Sequence, residues 1–192
     1  MYIGIGGFKR SGKDTFGNML HEAAQQRGVY AHMSAFAQPV RAAAAAAYRV
    51  KPACFILEHK DEIDPRWGIT YRQMMINVGE AMRQLDPDHW VKLWRRFIMG
   101  LPQEALLIVT DVRQRNEARA VKVLGGSLVL LQRPGIVWDG TQVELLAHDA
   151  AEQQSTFDYS VKNDGDVASL RRHADRIVRR VLDKATKQNN SK

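Results

Sequence analysis

Cysteine is nearly absent: Cys54 stands alone among 192 residues. No intramolecular disulfide can form, which fits a reducing compartment. Cys54 lies in the apolar run "ACFIL", where a small buried hydrophobe is expected. No Cys/His spacing suits a structural zinc ion. No apolar stretch is long enough to cross a bilayer, and the first residues read as a strand rather than a leader peptide. The expected location is therefore the cytoplasm, with no membrane partner. Internal repeats and long low-complexity tracts are also missing, and the length suits one domain with its own core.

Acidic residues are outnumbered: 28 Lys and Arg against 21 Asp and Glu give a net charge of +7. An anionic partner follows, without saying which. Part of the excess sits in the polar end "KATKQNNSK", which reads as a frayed tail over 185–192. The arginines 172, 176, 179 and 180 line one side of a final helix and have no interleaved aromatics for base stacking. They read as a solvated face, and nucleic acid is not an expected partner. The charge run "EHKDEID" reads likewise as a solvated helix face or loop.

What is present is an alternation of strands and helices. "YIGIG", "VYAHMSAF", "ALLIVT", "SLVLLQ" and "YSVKN" are strand patterns. Helices are expected from Lys13 to about Gln26, after Pro39 through "RAAAAAAYR", and across "YRQMMINVGEAMRQL", "PDHWVKLWRRFIM" and "RNEARAVKVL". The last runs from about Val167 to Lys184. Near-continuous apolar strands between helices specify an α/β fold: a parallel five-stranded sheet covered on both faces. Ligands bind such sheets beyond the carboxyl ends of the strands. The residues there are Gly7 to Thr15, Ser34 to Arg41, Asp111 to Arg113, Arg133 onward, and Asn163; four of these five sets carry Arg or Lys.

The first set is a phosphate-binding loop. In "GFKRSGKDT", four residues separate Gly7 from Gly12-Lys13, after a strand and before a helix. Glycines let successive N–H groups turn inward, the helix start adds its positive end, and the Lys13 ammonium can reach phosphate. The residues committed to ATP phosphates are Gly7, Arg10, Ser11, Gly12, Lys13, Asp14 and Thr15. Asp14 occupies the place of the usual Ser or Thr. It either steadies the helix start or reaches the water shell of Mg²⁺. Thr15 is the hydroxyl expected at the metal.

The pieces "GFKRSGKDT", "SAFAQPVR", "YRQMMINVGEAMRQLDPDHWV", "IVTDVRQRNEA", "GGSLVLLQRPG" and "VKNDGDVASL" occur in the order seen in bacteriophage-type deoxynucleoside monophosphate kinases. The chain resembles that family from Gly4 to about Leu170. The resemblance implies a P-loop NTPase fold in a domain over 1–184, with a helical monophosphate-binding lobe over about 38–100 and a lid over about 133–157. It implies transfer of the ATP γ-phosphoryl group to a dNMP, with Mg²⁺ and ATP required, in a host cytoplasm if phage-encoded; a homodimer is left open.

By the same resemblance Asp111 would orient Mg²⁺ with Thr15, the competing reading being a helix cap. Arg113 would lie near the transferring phosphate, or else pair with Glu117 at the surface. Arg133 would contribute from the lid. Arg41, Arg72 and Arg83 would grip the acceptor monophosphate, because planar forked donors match phosphate oxygens. Trp90 would line the base pocket or belong to the core. Asn163 and Gly165 form a turn near the adenine. The lid departs from the family at "HDAAEQQS", which leaves His148 as a solvated loop histidine. The rivals are a kinase for phosphomevalonate or dephospho-coenzyme A, and a nucleic-acid-stimulated P-loop NTPase.

Overall fold

The computed structural model describes residues 1–137 and 156–189. Along the chain run β1 (Tyr2–Gly6), α1 (Lys13–Gln25), β2 (Ala31–Ser34), α2 (Ala37–Tyr48), β3 (Ile63–Asp64), β4 (Ile69–Thr70), α3 (Tyr71–Leu85) and α4 (His89–Ile98). There follow β5 (Leu106–Val109), α5 (Arg115–Val123), β6 (Ser127–Gln132), β7 (Tyr159–Lys162) and α6 (Val167–Asn189). Two compact units form: Met1–Ala35 with the chain from Leu101 onward, and Phe36–Gly100.

The first unit is built on a five-stranded sheet of order β2-β5-β1-β6-β7, parallel throughout. All four residues of β5 are buried, and so are the first five of β6. This is why those strands read as continuous apolar runs rather than alternating ones. The chain lays β2 and β5 on one side of β1, then crosses over to place β6 and β7 on the other. The winding reverses at β1, so a ligand crevice is expected at its carboxyl end.

Ile3, Ile5, Phe16, Leu20, Ile108, Val129, Leu131, Ala174 and Val178 form the core between the sheet and the pair α1 and α6. Ion pairs from Arg27 to Asp175 (2.6 Å) and from Arg171 to Glu22 join the outer edges of those two helices. Gly17 lets α1 lie close to the strands: a Cβ there would stand 2.6 Å from Thr110 Cγ2. Arg172, Arg176, Arg179 and Arg180 are exposed, as a solvated face requires.

The second unit packs α2, α3 and α4 with the β3–β4 hairpin. Ala44 and Ala45, inside the alanine run, are buried with Phe55 and Met74, so the small side chains bring α2 close to α3. The Phe36 and Trp94 rings meet at 4.5 Å. The Thr70 hydroxyl accepts from Gln73 N at 3.1 Å and caps α3.

Four expectations need correction. Helix α2 begins at Ala37, before Pro39, because a proline in the first turn removes an N–H that has no intrahelical partner. Helix α6 continues to Asn189, so the part of the polar end through Asn189 is helical instead of frayed. Cys54 is half-buried in a 3-10 turn. The charge run is not wholly solvated: Asp64 is 2% exposed. Its carboxylate accepts from Arg66 N (2.9 Å), Nε (3.1 Å) and Nη2 (2.7 Å), and from the Tyr71 hydroxyl at 3.4 Å.

The Arg66 hydrogen bonds hold the Asp64 carboxyl at about 2, against an ordinary 3.8. A depressed carboxyl pKa stabilises the fold above the unfolded value and ceases to do so as pH falls through the folded one. Asp64→Asn is therefore expected to be less stable than the natural chain at neutral pH. In urea titrations the gap should stay constant down to roughly pH 4 and close progressively toward pH 2.

Candidate active site

The chain must leave a buried central strand and enter a helix between Gly6 and Lys13. Gly7 makes the turn at φ +145°, and a Cβ there would lie 2.3 Å from Leu131 O. Ser11 N donates to Phe8 O at 3.1 Å, Arg10 adopts φ +65°, and Gly12, the N-cap of α1, has φ +96°. Alternation between left- and right-handed backbone of this kind gathers N–H groups on one side, the arrangement that receives an anion. The helix terminus adds its positive end.

The side chains complete the cradle. The Lys13 ammonium folds over the loop and donates to Gly7 O (2.6 Å) and Phe8 O (2.7 Å). Ser11 is 1% exposed, and its hydroxyl has no hydrogen-bond partner among the described residues. A buried polar atom without a partner is costly, and a phosphate oxygen would satisfy it. The loop therefore fits the phosphates of a nucleotide. Asp14 and Thr15 are exposed in the first turn, where Asp14 is the acidic residue. Its contribution to the helix start is thus its charge.

Beyond β5, Val112 N donates to Ile5 O (3.1 Å) and Thr110 N to Ser34 O (3.2 Å), which fixes half-buried Asp111 between two sheet bonds. Glu117 is 4% exposed and accepts from Arg113 N (2.7 Å) and Gln114 N (2.9 Å). It forms a capping box with Gln114 at the start of α5. The alternative for Arg113, a pair with Glu117 at the surface, does not fit, because Glu117 is buried and holds the Arg113 backbone. The Gln-x-x-Glu spacing at 114–117 carried that signal.

Arg10 and Arg133 are exposed, and Arg113 is half-buried. Asn163, after β7, donates Nδ2 to Ser11 O at 2.9 Å, so its amide is engaged with the loop. Gly165 is exposed beside it. Most of the 133–157 lid, with His148, lies outside the described residues.

In the second unit the three acceptor-site arginines differ. Arg72 forks onto Asp61, Nε to Oδ1 at 2.6 Å and Nη2 to Oδ2 at 3.0 Å. Arg83 Nη1 donates to Glu80 at 3.0 Å. Arg41, half-buried on α2, makes no ion pair with a carboxylate among the described residues. Asp61 was not legible as a functional residue, since only the folded chain brings it to Arg72. Trp90 is 2% exposed, and its indole N–H donates to Gly79 O at 3.0 Å. It fastens α4 to α3 from within the core, which corrects the base-pocket expectation.

A phosphate-binding loop with its lysine at the reversal strand of a five-stranded parallel sheet, followed by a carboxylate after β5, is the arrangement of a P-loop protein. No family model matches the chain. A protein of Acanthamoeba polyphaga mimivirus described as "Putative deoxynucleotide monophosphate kinase" is 33% identical over 161 residues, 74% of this chain and 81% of that protein. An uncharacterized protein, ORF76, of Ictalurid herpesvirus 1 is 29% identical over 75 residues, 38% of this chain and 31% of that one. The solved dephospho-CoA kinase from Campylobacter jejuni superposes with a TM-score of 0.49 at 15% identity, covering 98% of both chains. The chain belongs to the deoxynucleotide monophosphate kinase family. By class it is an ATP-dependent phosphotransferase.

Replacing Glu117 by alanine strands the Arg113 and Gln114 N–H groups in a half-buried position. A loss of about 1–3 kcal/mol in urea-unfolding free energy is expected. Both N–H groups donate to the one oxygen Oε2, so Glu117→Gln keeps an acceptor for the two and should lose clearly less.

Proposed function

We propose that the protein is a deoxynucleoside monophosphate kinase that transfers the γ-phosphoryl group of ATP to a dNMP, giving dNDP and ADP. The observation that carries this reading is the "SGKDT" loop, with its hydroxyl one place beyond the usual position, at the carboxyl end of the reversal strand. The mimivirus relative supports the acceptor class by its description. A phosphate oxygen of the dNMP attacks the γ-phosphorus, the bond to the β,γ-bridging oxygen breaks, and ADP leaves with that electron pair.

Little covalent work falls to the protein in such a transfer; positioning and charge neutralisation dominate. The amides of Gly7 to Thr15 hold the donor phosphates, with the side chains of Arg10 and Ser11. Lys13 leaves its two carbonyl partners for the β- and γ-oxygens. Arg113, its backbone held by Glu117, and Arg133 offset the charge that develops on the γ-phosphoryl group. Thr15 and Asp111 present only oxygen ligands, the donor type that Mg²⁺ takes. When bound, the ion neutralises phosphate charge. Gly165 stands at the adenine end of the reading.

For the acceptor, Arg41, Arg72 and Arg83 supply the forked donors. Arg41 has no carboxylate partner to give up among the described residues. Arg72 exchanges Asp61 for phosphate, and Arg83 exchanges Glu80. Arg72 is already posed for two oxygens and Arg83 for one, so each exchange replaces one anion with another of higher charge.

The test is product detection with Mg-ATP and a panel of dNMPs, NMPs, dephospho-coenzyme A and phosphomevalonate. Conversion of at least one dNMP to its diphosphate is expected. Lys13→Ala should lower kcat/KM by about a thousandfold or more. Arg83→Ala should raise the acceptor KM roughly tenfold or more with kcat little changed. Turnover of dephospho-coenzyme A or phosphomevalonate alone would replace the acceptor. Vigorous ATP hydrolysis without acceptor, stimulated by DNA, would sink the kinase reading itself.

A further inference from the structure

The loop depends on a peptide plane that its own residues fix poorly. Gly12 sits at φ +96°, where a residue without Cβ rotates readily. In a trans peptide the Ser11 carbonyl and the Gly12 N–H point in opposite directions. If this plane flips, a carbonyl replaces an N–H on the side from which the loop offers donors. An anion site then gains a repelling oxygen and loses a donor.

One side chain from a distant element holds the plane. Asn163 Nδ2 donates to Ser11 O at 2.9 Å, across 152 positions of sequence. The same nitrogen stands 2.7 Å from where a Gly12 Cβ would be, so it packs directly against the flank of the glycine. Asn163 is itself anchored: its backbone N donates to Gln132 O at 2.7 Å, which extends the β6–β7 pairing in which Gln132 faces Lys162. The brace therefore runs from the sheet, through one amide, to the carbonyl ahead of Gly12. Nearby, Leu131 O blocks a Cβ at Gly7, so β6 fixes the front of the loop while the residue after β7 fixes its back.

We propose that Asn163 is a positioning residue of phosphate binding: it locks the Ser11–Gly12 peptide so that the Gly12 N–H faces away from Asn163, toward the donor phosphates. This rests on the reading of the loop as the ATP-phosphate site. It differs from the family-based expectation that Asn163 serves the adenine. A brace on the loop acts on any ligand with the phosphates and is indifferent to the base. A base contact acts on adenine and is indifferent to a ligand without one.

The experiment compares the full chain with Asn163→Ala and Asn163→Asp by calorimetric titration with Mg-ATP, Mg-GTP and inorganic tripolyphosphate. The melting temperature is recorded alongside. Loss of one hydrogen bond predicts about fivefold to tenfold weaker binding of all three ligands, with the ATP-to-GTP ratio unchanged. Asn163→Asp keeps the shape against Gly12 but sets a carboxylate against a carbonyl. It should weaken all three at least as much, and it provides the reading if the alanine variant does not fold.

Unaltered tripolyphosphate binding with a changed ATP-to-GTP ratio would overturn the proposal in favour of a base contact. A lower melting temperature with all three affinities unchanged would overturn it in favour of a fastening of the fold. A natural chain that binds no tripolyphosphate overturns it too. Failure to phosphorylate any dNMP sinks the acceptor assignment alone, since the tripolyphosphate comparison uses no acceptor.

Discussion

Backbone N–H groups at the start of a helix have no partners within that helix, and in this chain the start of α1 stands at the carboxyl end of the central strand β1. Much of the first unit can be understood as a frame for that one terminus. The sheet reverses its winding at β1, so the connections on its two sides part there and leave a crevice at the carboxyl end of the strand. Gly7 turns under Leu131 O, and Gly12 takes a left-handed conformation that leads into α1. The pairing of α1 with α6, through Arg27–Asp175 and Arg171–Glu22, holds the helix that carries the terminus. Phosphate binding is thus the use to which an unavoidable feature of strand–helix geometry is put.

The second unit meets a different constraint. Arginine forks attract any planar anion, and carboxylates of the same chain are always nearby. Asp61 holds Arg72 by two short bonds, Glu80 holds Arg83 by one, and buried Asp64 holds Arg66. These are not equivalent. The Asp64–Arg66 link is tied to a carboxylate that is almost wholly buried, so giving it up would strand that charge. Asp61 is largely exposed beside its arginine, and an exposed pair contributes little. A phosphate can take Arg72 from Asp61 at small cost, because water solvates the released carboxylate. The same reasoning excludes Arg66 from phosphate binding.

The sheet was legible because its signals are local. Five apolar runs, each bounded by turn residues, gave the strands; β6 and α3 fall at their expected bounds, the latter because Thr70 caps it. Helix α6 outran its expectation because "KATKQN" has no apolar face to read, and helicity there is propagation from the preceding turns. At the site, the loop and Glu117 have fixed spacings of a few residues. The partners that decide what an arginine or an asparagine does lie eleven or 152 residues away, and no periodicity encodes them. Trp90 stayed open between two readings for a related reason: an aromatic residue beside Val91 and Leu93 suits a pocket or a core, and its burial and the Gly79 carbonyl separate the two.

The carboxylate at position 14 can now be argued from its neighbours. No side-chain hydrogen bond holds Asp14 in the first turn among the described residues. Its negative charge lies at the positive end of α1, which favours it whether or not nucleotide is present. Triphosphate in the loop would compete for that same positive end and repel the carboxylate. Being exposed, Asp14 can turn to water, and repulsion between exposed charges is screened. An aspartate at this place therefore aids the helix more in the empty loop than in the filled one. Thr15, uncharged and one residue further on, suffers no such conflict. In the proposed mechanism, displacing the hydroxyl by one position thus separates two tasks that a Ser or Thr at position 14 would combine: steadying the helix start, and offering oxygen to a metal.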